Sequence, residues 1–210
     1  MDKIFNLLRE CGALQSEYAA ILAHDQAPNR ESKCEILLHR CLTLESALTF
    51  DWLELDDFPS PCPRSDLAYQ PIVLPPDLNI TPYSFKALNT AKTYLLFWIA
   101  QAVLLRCAYQ AEKVISGCSN ATRMRQCAGE ICRAVAFCMQ PSNQVSSGHA
   151  VMVAISQASK CYIDCADKDM FVWCQGVYSL LESHGLDIAG AMSRSDRDLW
   201  VVANGQINEY

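Results

Sequence analysis

The chain has 210 residues, is 51% hydrophobic and only 19% charged, and carries a formal net charge of -6. That balance excludes a disordered chain, supplies enough apolar side chain for a continuous core, and opposes a free-standing nucleic-acid binder, which needs a basic face to displace counterions.

The N-terminus lacks the long apolar stretch and small-residue cleavage site of a signal peptide. Ile4, Leu7, Leu8, Cys11 and Leu14 recur there at helical spacing instead. A first helix is therefore predicted over residues 2–24, stopping near Pro28. A second runs from about 29–32 to 53 on the seam Cys34, Leu37, Leu38, Cys41, Leu44 and Leu48. The short connector makes the two an antiparallel hairpin.

Seven of the nine prolines fall within residues 58–82, which reads as a long extended connector. A third helix is predicted over 83–115. Its middle, YLLFWIAQAVLL, has about a dozen apolar residues, whereas a membrane span needs about 18 or more, so it reads as a buried central helix. Ser116-Gly117 breaks it. A fourth helix follows a cap at Ser119 or Asn120 and ends at Gln140, with the seam Met124, Cys127, Ala128, Ile131, Val135 and Cys138. A polar loop over 142–148 then leads to a fifth helix at 149–165. A sixth, capped by Asp167 or Asp169, stops at Gly185, and a short seventh is predicted over 196–203. The class is all-α: an irregular bundle of six to seven helices, read as a single domain over 1–210 with a hairpin (1–57), a proline-rich connector (58–82) and a helical core (83–210).

Three stretches resemble a known family. They are the third helix from Tyr83, SFKALNTAKTYLLFWIAQAVLL; the fourth, CAGEICRAVAFCMQP, with the loop VSSGHA after it; and WCQGVYSLLESHGLDIA from Trp173. In this order they resemble the regulatory middle domain of fungal zinc-cluster transcription factors, over about residues 30–189. The zinc cluster itself is missing, because no C-x2-C pair occurs anywhere in the sequence. The resemblance implies a regulatory or interaction domain, in the nucleus or cytoplasm, that modulates transcription through a protein partner or self-association, for example of genes of secondary metabolism. It implies no direct nucleic-acid contact by this chain, and it transfers no ligand or catalytic residue. A truncated relative, a gene fragment and a stand-alone modulator all fit it.

The residues themselves point to no catalytic motif, no cofactor, no metal site and no membrane span. Cys161-x3-Cys165 is a cysteine pair at ligand spacing, and no second pair has the same spacing. Most of the other cysteines occupy apolar seams, where cysteine acts as a small hydrophobe. His39 points away from Cys34 and Cys41. The acidic-aromatic stretch Phe50–Phe58 reads as a solvated face first and a docking segment second. Arg123, Arg125 and Arg133 form the candidate partner surface. Against the interaction reading stands a small-molecule sensor or enzyme, with an apolar pocket beside Phe97, Trp98 and Trp173.

Overall fold

A computed structural model describes residues 2–23, 29–48, 59–62 and 81–205. Among them seven helices and one two-residue strand pair make the chain all-α. The helices are α1 (Asp2–Ala23), α2 (Arg30–Ala47), α3 (Leu88–Ser116), α4 (Thr122–Cys138), α5 (Gln144–Asp164), α6 (Lys168–Ser183) and α7 (Asp187–Asn204). The strands are β1 (Ser60–Pro61) and β2 (Tyr83–Ser84).

The chain divides into two compact units, Met1–Asp56 with Ala100–Met124, and Asp57–Ile99 with Arg125–Tyr210. Helix α3 does not stay on one side of this division. Its residues 88–99 belong to the second unit and 100–116 to the first. This helix is the one described element long and apolar enough to cross a membrane, and 72% of its most apolar window is buried within the protein.

In the first unit, α1 and α2 pack together through the predicted seams. Ile4, Leu7, Cys11, Leu14 and Ile21 are buried on α1, and Cys34, Leu37 and Cys41 on α2. The Cys11 thiol donates to the Ala100 carbonyl of α3 at 3.7 Å. On the outside, Arg40 pairs with Glu17. Residues 49–58, which include the whole acidic-aromatic stretch Phe50–Phe58, lie outside the described residues, as do 63–80 of the connector.

In the second unit, residues 83–87 are not helical. Ser60 pairs with Ser84 and Pro61 with Tyr83, antiparallel. The Cys62 amide adds a bond to the Pro82 carbonyl at 2.7 Å. Two prolines lie within this short ladder, which is why helical periodicity stops short of Leu88. Helices α5, α6 and α7 pack pairwise on one another. Helix α5 starts at Gln144, five residues before its predicted start, because Ser147 does not break it. Its hydroxyl bonds the Cys138 carbonyl at 2.6 Å and the Asn143 carbonyl at 2.9 Å. Gly148 does not break it either. A Cβ there would come within 2.6 Å of the Leu186 side chain, so the glycine makes room for the start of α7.

Helix α7 is likewise longer than predicted. Its buried face is Ala189, Ser193, Asp196 and Trp200. Trp200 stacks on Phe171 at 4.5 Å, the Tyr178 hydroxyl donates to Asp196 at 2.9 Å, and Ser193 donates to Gln175 at 2.7 Å. A buried carboxylate and a serine hydroxyl are tolerated here because each has a partner.

Both ends of α6 are closed as expected. Asp167 accepts from the Met170 amide at 3.4 Å, and Gly185 adopts φ +87°. The bonds Gly185 to Glu182 and Leu186 to Leu181 complete a Schellman stop. The same two-bond stop ends α5, with Ala166 bonding Ile163 and Asp167 bonding Tyr162, but there the left-handed residue is alanine, at φ 54°. That conformation costs a residue with a Cβ about 1 kcal/mol. Ala166→Gly is therefore expected to stabilise the protein by about 0.5–1 kcal/mol, raising the melting temperature by about 2 °C. A lower melting temperature for the glycine variant would contradict this account of the stop.

Candidate interaction surfaces

Helix α4 buries its predicted seam completely, with Met124, Cys127, Ala128, Ile131, Val135 and Cys138 all inside. Its three arginines come out elsewhere, and they do not make one patch. At about 100° per residue, Arg123 and Arg125 stand about 160° apart around the helix. Each is already engaged. Arg123 pairs with Glu45 within the first unit. Arg125 meets the Asp167 carboxylate at 3.1 Å within the second.

Arg133 is the most constrained of the three. Its guanidinium lies 3.7 Å over the ring of Tyr83, and its Nε donates to the Thr81 carbonyl at 2.8 Å. A further contact at 3.5 Å reaches Glu130. The other face of Tyr83 stacks on Trp98, with centroids 5.7 Å apart and planes 7° apart, and its hydroxyl donates to Glu130. The sequence reading placed Arg133 on a candidate partner surface and gave no role to Tyr83. The arrangement holds the end of the connector against α3 and α4, through cation–π, stacking and charge-assisted contacts. A chain segment 50 residues away in sequence gives no local signal of it.

Phe97 and Trp98 are 2% exposed and Trp173 is 9% exposed. Trp98 belongs to an aromatic cluster in which Tyr94 lies 5.2 Å from it, Phe85 lies 5.9 Å from Tyr94, and Phe137 lies 5.2 Å from Phe85. Trp173 stands on α6. The two openings described in the structure are on α1 and α2 instead. One, of about 280 Å³, is lined by Lys3, Asn6, Leu7, Glu10, Leu44, Ala47 and Leu48. The other, of about 410 Å³, takes in Glu10, Ala13, His39, Arg40, Thr43 and Leu44. Glu10 and Leu44 are common to both, so they form neighbouring stretches of one groove along the hairpin.

The cysteines are all free thiols; Cys118 is exposed, Cys165 half-buried and the other ten buried. Burial pushes Cys11 and Cys138 up to about 12. Burial also raises Cys165 to about 11, against the pull of Arg125. A hydrogen bond with Cys107, and then burial, raise Cys41. Such thiols stay protonated at neutral pH and are poor nucleophiles. Among the described residues, no three His, Cys, Asp or Glu side chains converge to hold a metal ion. His39 is exposed while Cys34 and Cys41 are buried, so the three do not meet.

Several large apolar side chains remain outside, among them Phe5 at 56%, Ile36 at 57%, Ile188 at 57% and Val202 at 86% exposure. No family model matches the chain, and no curated protein or solved structure matches it either.

Proposed function

We propose that the chain is a helical interaction module that modulates transcription through protein contacts and carries no DNA-binding motif of its own. The observation that carries this reading is the contrast between its polar and apolar side chains. The arginines of α4 are engaged in structural pairs and the thiols of Cys11, Cys41 and Cys138 are held protonated, while large apolar groups stand in solvent on α1, α2 and α7. Its link to transcription rests on the resemblance of α3, α4 and α6 to the regulatory domain of zinc-cluster factors. Fusing the chain to a heterologous DNA-binding module upstream of a reporter tests that link. Transcription is expected to change, in either direction, relative to the module alone. Unchanged transcription at matched nuclear abundance would sink the reading.

A second reading, a small-molecule sensor or enzyme, is favoured by one observation, the apolar groove along α1 and α2. Its combined size is within the range of ligand pockets, and its floor is Leu7, Leu44 and Leu48.

A further inference from the structure

Buried polarity in this chain is gathered in one place. Six polar or charged side chains are buried among the described residues, and five of them lie between α5, α6 and α7: Ser156, Ser159, Gln175, Ser193 and Asp196. The register of the α5–α6 hairpin orders them in layers. The Ser156 hydroxyl bonds that of Tyr178. One helical turn nearer the hairpin loop, along α5 and back along α6, Ser159 therefore faces Gln175. Helix α7 closes the same layer with Ser193 and Arg197.

Bonding in this layer fixes which way the Gln175 amide points. Its Oε1 accepts from the Ser193 hydroxyl at 2.7 Å and from Arg197 Nε at 3.4 Å. A guanidinium only donates, so turning the amide over would set N–H against N–H. Nε2 is therefore the atom turned to the rest of the layer, and it is buried with no hydrogen-bond partner among the described residues. The Ser159 hydroxyl is in the same position. Ser16, Ser116, Ser147 and Ser179 each donate to the carbonyl four residues before them, and Ser159 does not. An amide donor and a hydroxyl thus share one layer of the seam, and native proteins leave very few such groups unbonded.

The chemistry of what satisfies both is narrow. It accepts from an amide N–H and bonds a hydroxyl in either sense. A cation is repelled by the amide N–H, and an anion would add a second buried negative charge beside Asp196. A neutral molecule of one heavy atom that both donates and accepts is water, and buried waters sit at such groups. We infer that one water molecule is bound in this seam, accepting from Gln175 Nε2 and bonding Ser159 Oγ, and that it holds Gln175 as the polar dock for α7. Gln175 is then a positioning residue, held by the water on one side and by Ser193 and Arg197 on the other.

Magnetic relaxation dispersion of the water oxygen tests it on the full chain under reducing conditions. The method counts long-lived internal waters and does not respond to exchange of hydroxyl protons. Gln175→Met keeps the length of the side chain and removes the donor. Ser159→Val removes the hydroxyl and fills the layer with an added methyl group. In each variant the dispersion amplitude is expected to fall by that of one water, with helical circular dichroism unchanged. A folded variant that keeps the parent's amplitude overturns the site. The parent supplies a measurement that needs no variant. Its Gln175 side-chain amide is expected to show cross-peaks with water of opposite sign in laboratory-frame and rotating-frame Overhauser spectra. An amide with no such cross-peaks overturns the site even if both variants fail to fold.

Discussion

Val135→Asp is expected to abolish cooperative folding at neutral pH. Val135 sits in the middle of α4 with no exposed surface, flanked on the seam by Ile131 and Cys138, which are equally enclosed. A carboxylate there takes the place of a fully buried apolar side chain, and an uncompensated buried charge costs about 3–5 kcal/mol. Total stabilities of domains are about 5–15 kcal/mol, so one such change takes a large share or all of it. Val135→Ala removes only methyl groups and should cost about 2 kcal/mol. Because the larger penalty is one of charge, acidification that protonates the aspartate is expected to reduce it. Thermal unfolding followed by circular dichroism distinguishes the cases. An aspartate variant that melts like the alanine one at pH 8 would remove Val135 from the core.

The second large effect is alkaline. Thiols at Cys11 and Cys138 titrate from 9.0 in the ordinary case to about 12 in the folded chain, mainly through burial. Between these values the folded state holds protons that the unfolded state has released, so stability falls as pH rises. The contribution is fully present below about pH 9 and is lost towards about pH 12. At pH 10.5 each of these two thiols removes on the order of 2 kcal/mol. Cys165, raised to about 11 by burial, adds in the same direction. A steep drop in melting temperature between pH 9 and pH 10.5, with reductant present, is the expected result, and Cys138→Ala should flatten it. A melting temperature constant over that interval would mean that these thiols are wetter than the structure places them.

The parts of this fold that were legible in the sequence share a cause. On α1, α2 and α4 the buried face is an apolar stripe of Leu, Ile, Val, Met, Ala and Cys at helical spacing. Helix α7 was half missed because its buried face is Ala189, Ser193, Asp196 and Trp200, polar enough to pass for surface until Tyr178 and Gln175 supply partners. The start of α5 was missed because Ser146, Ser147 and Gly148 resemble a loop, and only the position of Leu186 explains the glycine. The candidate partner surface fared differently. Arg123, Arg125 and Arg133 are near one another in sequence, but helix rotation separates the first two and tertiary contacts engage all three. Tyr83 and Glu130 carry no pattern that marks them in advance. Their roles depend on β2 returning to α4 across a connector whose middle gives no periodic signal.

The central claim, that this chain acts by binding protein, is tested most directly by native mass spectrometry of the full chain purified gently from a fungal host. The account predicts a dimer or a stoichiometric protein partner, with no small molecule retained. A monomer carrying a bound species of a few hundred daltons would contradict it and move the function to the groove between α1 and α2.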